Sequence, residues 1–182
     1  MKSIIFRSVL VLSVCGCISV VNARQRTIEY SCQTDDADRQ FCVDRYQKPL
    51  KEKVYEYHEN GTYAAIINFK NGYYDGLVTM FDENGRLVER VYYKKGLKNG
   101  MDKVYHSNRT IKLLANYKDG LLDGEQEMYF SDGKPAGRFM YKNGKMQKGH
   151  CIRYENGYKH RHDFNLRERR EITENKIPCE VQ

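Results

Sequence analysis

The sequence predicts an all-β chain, a single-layer antiparallel β-meander of hairpin repeats with a 24-residue period and disulfide-bearing terminal caps. Three observations predict it. Gly-bearing dipeptides recur at that interval, as Asn71-Gly72, Lys95-Gly96, Asp119-Gly120 and Asn143-Gly144. Segments of strand length, rich in Tyr, Val, Ile, Phe and Leu, lie between them. Four cysteines, Cys32, Cys42, Cys151 and Cys179, stand at the two ends of the array. Such an array is stabilised by neighbour stacking and works as a surface rather than a catalytic pocket.

The first 23 residues read as an export signal. Lys2 and Arg7 form a short basic region, an apolar and small-residue run extends from Val9 to Val21, and Val21-Asn22-Ala23 fits a small-x-small cleavage pattern. The run is shorter than the ~20 residues a spanning helix needs. The mature chain is then secreted or periplasmic and starts near Arg24. A competing reading is lipidation at Cys17, since Val14-Cys15-Gly16-Cys17 loosely resembles a lipobox. Maturation removes Lys2 and Arg7, leaving 29 basic residues against 24 acidic ones and a net charge of +5. The signs are interspersed, which argues against nucleic-acid binding and is compatible with acidic protein partners or an anionic membrane surface.

Residues 24–52 form an N-terminal cap with Cys32 and Cys42, residues 53–157 the repeat sheet, and residues 158–182 a C-terminal cap. Proximity favours pairing Cys32 with Cys42 and Cys151 with Cys179, and a clasp joining the two ends stays open. Asp163 is positioned to cap a short helix through Phe164, Leu166 and Ile172.

Within the array two kinds of strand alternate. The first kind is Leu77 to Glu83, Met101 to Ser107 and Glu125 to Ser131, with relatives at Lys53 to Glu59 and His150 to Glu155. The second is Thr62 to Lys70, Arg86 to Lys94, Thr110 to Lys118 and Lys134 to Lys142. Asn60-Gly61, Asn84-Gly85, Asn108-Arg109 and Asp132-Gly133 sit between first and second kinds, and read as two-residue hairpin turns. Arg109 predicts a turn that is distorted or of another type, because positive φ suits Gly. Between second and first kinds a longer loop is expected, such as residues 71–76, which ends in the Asp75-Gly76 series of Asn99-Gly100, Asp123-Gly124 and, one residue late, Lys148-Gly149. About nine strands result.

The segment Asp123-Gly124-Glu125-Gln126-Glu127-Met128-Tyr129-Phe130-Ser131-Asp132-Gly133-Lys134, followed by Tyr141-Lys142-Asn143-Gly144-Lys145, resembles the variant form of the MORN repeat, the membrane occupation and recognition nexus. More closely, the pattern is similar to YwqK-type antitoxin proteins of bacteria. The resemblance covers about residues 53–157 and implies a non-enzymatic β-sheet protein that neutralises a toxin by binding it.

Alternate residues of a strand share a face, and residues equidistant from a turn oppose each other. Val78, Met80, Val91, Leu113, Ala115, Met128 and Phe139 then collect on one apolar face with the Tyr93 column. The other face, which also takes Thr79, Lys103 and Glu127, is aromatic and cationic. It carries Phe81, Tyr105, Tyr129, Arg90 and Arg138 together with the series Lys94 and Lys118, and these seven residues are the candidate partner-binding set. The apolar face is covered by a cap, by a second protomer in a homodimer, or by a partner protein.

Catalytic signatures are missing: the sequence holds no G-x-S-x-G, P-loop, H-E-x-x-H or Cys-His nucleophile pattern. No cofactor is implied. His160 and His162 lack further metal ligands at sensible spacing. Asn60-Gly61-Thr62 and Asn108-Arg109-Thr110 fit the glycosylation pattern, although turn chemistry already accounts for both asparagines. The function expected is an exported protein-binding module, immunity-like in one form, against an alternative of a membrane- or envelope-associated structural protein.

Overall fold

The computed structural model describes residues 29–165 apart from 36, 38, 156 and 157. The export signal, Cys17, Arg24, Leu166, Ile172 and Cys179 lie outside the described residues. These form strands β1 (Tyr30–Thr34), β2 (Gln40–Asp44), β3 (Lys53–Tyr57), β4 (Tyr63–Lys70), β5 (Tyr73–Tyr74), β6 (Gly76–Phe81) and β7 (Leu87–Lys94). They continue as β8 (Leu97–Tyr105), β9 (Ile111–Lys118), β10 (Leu121–Tyr129), β11 (Pro135–Lys142), β12 (Lys145–Glu155) and β13 (Tyr158–Asn165). The result is an open antiparallel sheet of hairpins, with sequential neighbours paired from β6 to β13 and, among the described residues, β3 paired to β4 alone.

Both Gly series form turns, but their types are the reverse of those expected. Lys95 and Gly96 have φ of 51° and 81°, Asp119 and Gly120 have 50° and 84°, and Asn71 with Gly72 and Asn143 with Gly144 do the same. Two successive left-handed residues make the type I′ hairpin turn, whose twist matches that of its strands. Leu121 accordingly pairs with Lys118, and Lys145 with Lys142. No longer loop exists at residues 71–76. Instead Gly76, Gly100 and Gly124, with φ between 106° and 117°, lie within bulges, seen as the register shift between Leu122 and Gln126. Asn116 braces one of them by donating from Nδ2 to the Glu125 carbonyl at 3.1 Å.

The Asn60-Gly61 series closes three-residue turns. Gly61 N donates to the His58 carbonyl and His58 N to the Thr62 carbonyl, each at 2.9 Å, and of Asn60 and Gly61 only Gly61 has positive φ. The pattern repeats at Asp82 to Arg86, His106 to Thr110 and Phe130 to Lys134. Arg109 takes φ of 72° in the same three-residue turn as its counterparts, so this turn is undistorted, and its type departs from the two-residue one only as the whole series does. The extra turn residue is cancelled by a bulge in the hairpin: Tyr105 pairs with Ile111, but Val104 pairs with Leu113. Beyond that bulge each side chain returns to the face that a two-residue turn would give it.

Contacts divide the chain into two compact units, one of residues up to Leu87 with Tyr92–Leu97, the other of Val88–Val91 with Lys98 onward. In the first, Cys32 and Cys42 face each other across β1 and β2 and are disulfide-bonded. This hairpin is tied to the I′ turn at Gly72, which accepts from Cys42 N and donates to the Leu50 carbonyl, both at 2.7 Å. Tyr30 meets Phe69 edge to face at 5.8 Å, and Val54, Ala65, Ile67 and Val78 are buried nearby in sequence register. In the second unit Met128, Ala136, Phe139, Met146 and Cys151 form a core against Leu113, Phe130 and Tyr141. Cys151 is also disulfide-bonded.

Two expectations near the C-terminus fail. Asp163 and Phe164 lie in β13, paired with His150 and Gly149 of β12, so no helix starts at Asp163; strand pairing satisfies the backbone there instead. Gly149 is no counterpart of Gly124. It has ordinary φ, and a Cβ on it would stand 2.1 Å from Phe139 Cδ1, so a close approach of ring to backbone requires glycine there.

Candidate binding face

Period-2 alternation assigns every described strand two faces, and the registers of the second unit trace one row across six strands. Lys103 pairs with Leu114, Leu114 with Glu127, Glu127 with Arg138, Arg138 with His150, and His150 with Asp163. Interstrand spacing is about 4.8 Å, so these side chains form a line of alternating chemistry. Shallow depressions along β10–β13 are lined by Tyr129, Arg138, His150 and Lys159, and by Lys148, Arg161 and Asp163.

Of the seven residues singled out in the sequence, Tyr105, Tyr129, Arg90, Arg138 and Lys118 fall in the second unit, and Phe81 and Lys94 in the first. Tyr129 and Arg138 are brought together through an acid the sequence reading placed on this face but gave no role. The Tyr129 hydroxyl donates to Glu127 Oε2 at 2.7 Å, while Arg138 bonds Glu127 and stands 3.1 Å from Glu125 Oε1. The bond to Glu127, then burial, raises the Tyr129 pKa. Burial, then the charges of Arg161 and Arg138, lower that of His150. Lys94 and Lys118 are exposed. Phe81 is half-buried, and its carbonyl lies 3.0 Å from His58 Nε2.

Tyr57, first of the column that holds Phe81, Tyr105 and Tyr129, belongs to a second aromatic group with Tyr55 and Tyr63, which the sequence did not single out. Tyr57 stacks on Tyr63 at 4.8 Å, and Tyr55 lies 5.9 Å from Tyr63. Tyr55 shares a face with Tyr57 by alternation, but Tyr57 mirrors Tyr63 only about the three-residue turn, and the two-residue turn expected from the sequence set it opposite Ala64 instead.

The apolar face also holds a charge cluster. Lys98 Nζ lies 2.7 Å from Asp102 Oδ2 and 3.0 Å from Glu89 Oε1, and 5.1 Å from the centre of the Tyr117 ring. Asp102 is 2 % exposed, and its Oδ1 is buried with no hydrogen-bond partner. Burial raises the Asp102 pKa against the opposing pull of Lys98. For Lys98 burial works the other way, and the bonds and charges of Asp102 and Glu89 overcome it, raising its pKa. The position was legible: Val54, Val78, Asp102 and Gln126 occupy one column of the period, all buried.

Three stretches of the chain, residues 53–71, 74–95 and 122–147, match the MORN repeat variant family. These three stretches are similar to MORN-variant repeats. Each matched stretch contains a three-residue turn or spans its two strands, and β8 with β9 lies between the second and third. MORN repeats are in general non-enzymatic modules that bind proteins or membranes. A search of curated proteins finds no match.

Turns of successive hairpins are tied by side chains. Asn60 Nδ2 and Thr62 Oγ1 both donate to the Glu83 carbonyl, at 2.7 and 3.2 Å. Two periods on, Asn108 Nδ2 and Thr110 Oγ1 donate to the Ser131 carbonyl at 2.6 and 3.1 Å. The Asn-x-Thr triplets thus serve as clamps between repeats, a role that accounts for both residues.

Proposed function

We propose that the protein is an exported, non-enzymatic MORN-variant binding module that engages an acidic protein surface through the aromatic and cationic face of β8–β13. The observation that carries this reading is the row from Lys103 to Asp163. On the face this row crosses, Lys103, Arg138, Lys148, Lys159 and Arg161 outnumber Glu125, Glu127 and Asp163, and Glu127 holds Arg138 and Tyr129 in fixed positions. Preorganised Arg and Tyr side chains lose little freedom on binding, which makes them favoured anchors. An excess of cations steers acidic partners to the surface. In its narrower form the module neutralises an exported toxin by covering it, an immunity-like role.

The test is affinity capture from the producing cell's envelope and medium, with the wild type beside Tyr105→Ala/Tyr129→Ala and Arg138→Glu. Both variants lose the captured partner at least about tenfold while retaining the far-ultraviolet spectrum of the sheet. Capture unchanged in a folded Tyr105→Ala/Tyr129→Ala variant means that another face binds. Binding to anionic vesicles without a protein partner assigns the face to a membrane surface instead.

A further inference from the structure

We propose that the two ends of the sheet pair with each other between copies of this chain, β13 of one copy adding to β3 of the next. Every first-kind strand from β6 to β10 lies between two second-kind strands, yet among the described residues β3 pairs with β4 alone. At the other end β13 follows a first-kind strand in a hairpin and, among the described residues, pairs with β12 alone. Each end thus presents the strand type that the other lacks, and an unpaired strand edge is a template for another chain.

Backbone direction agrees. Phe69 N donates to the Glu52 carbonyl, so in the antiparallel pattern the even-numbered residues of β3 bond to β4, and Lys53, Tyr55 and Tyr57 point their N–H and C=O groups outward. Glu155 pairs with Tyr158 across two residues, which makes 158, 160 and 162 the bonded residues of β13 and leaves Lys159, Arg161 and Asp163 facing out.

Side chains agree as well. Tyr55 pairs with Ile66 and Ile66 with Thr79, placing Lys53, Tyr55 and Tyr57 on the aromatic and cationic face. Asp163 pairs with His150 in the row described above, placing Lys159, Arg161 and Asp163 on the same face. With the two faces continuous, one antiparallel register sets Asp163 opposite Lys53, Arg161 opposite Tyr55 and Lys159 opposite Tyr57. That is one ion pair and two cation–π contacts at once. Tyr55 is 39 % exposed, and Arg161 stands 2.8 Å from Asp163 on its own strand. Shifting the register by two residues sets Asp163 opposite Tyr55 and loses the ion pair.

An edge contact of one strand pair is small, so association is weak and depends on concentration. Sedimentation velocity on the purified chain from about 10 μM to about 1 mM is expected to show self-association. Lys53→Asp and Asp163→Lys each weaken it about tenfold, through like charges placed opposite each other, and combining them restores it. Restoration separates lost pairing from lost folding. A chain that stays monomeric throughout, single reversals without effect, or a double variant no stronger than the singles overturns the pairing.

Discussion

Lys98 bridges Asp102 and Glu89 beneath the sheet, its ammonium 2.7 Å from one carboxylate and 3.0 Å from the other. Two acids share one cation in a partly dehydrated place, and Asp102 Oδ1 has no partner at all. Replacing Lys98 by Met leaves both carboxylates uncompensated. Breaking a buried pair in this way costs about 3 kcal/mol, read as a lower urea midpoint with an unchanged slope.

The same cluster sets a pH dependence. Because the folded-state pKa of Asp102 is raised, the native chain holds this proton more tightly than the unfolded chain does. The associated stability is therefore full below the unfolded carboxylate value of about 3.9 and is lost as pH rises through the folded value. Asp102→Asn removes that declining slope, and urea midpoints collected from acid to neutral pH measure it. A variant with the wild-type slope places the titrating group elsewhere.

Arg109 carries a left-handed φ that three other turns give to glycine. A side chain there costs roughly 1–2 kcal/mol, partly offset by the greater freedom of glycine in the unfolded chain. Arg109→Gly is expected to raise stability by about 1 kcal/mol in thermal or urea unfolding.

Asn108 and Asn60 clamp the turn of the next repeat. Either residue changed to Ala leaves a carbonyl of Ser131 or Glu83 with one donor fewer, and costs about 1 kcal/mol. The loss is local, so amide exchange quickens first at the two clamped turns. Equal quickening throughout the sheet contradicts the clamp.

Gly149→Ala drives a methyl group against the Phe139 ring and 2.8 Å from the Arg138 carbonyl. Ring displacement in a packed core costs about 2 kcal/mol, and Phe139→Leu in the same chain recovers part of it. Both values come from equilibrium unfolding.

Much of the candidate site was legible because alternation and a constant period place residues without any knowledge of packing. Tyr105, Tyr129 and Arg138 were assigned to their face by counting alone. Glu127 was assigned there too, but its two bonds were not legible, since an ion pair depends on which rotamers neighbouring strands allow. The column of Val54, Val78, Asp102 and Gln126 shows the opposite failure: the position was legible as buried, and the acidic residue in it ran against the expectation that such a face is apolar.

The period, the two strand kinds and the two unlike faces follow from local chemistry, since turn residues and alternating side chains act over a few residues. Asn-Gly and Asp-Gly satisfy both a type I′ turn and the left-handed residue of a three-residue turn, so the dipeptide marks a reversal without naming it. The choice is made by pairing across the sheet. The Asn60 and Asn108 turns are held three residues long by clamps to the next repeat, and the Gly72 turn is held by bonds to Cys42 and Leu50. Those partners are 20 or more residues away, so local propensity carries no trace of them. For the same reason β13 became a strand where Asp163 suggested a helix: an open edge on β12 offered a full set of backbone partners that an isolated short helix lacks.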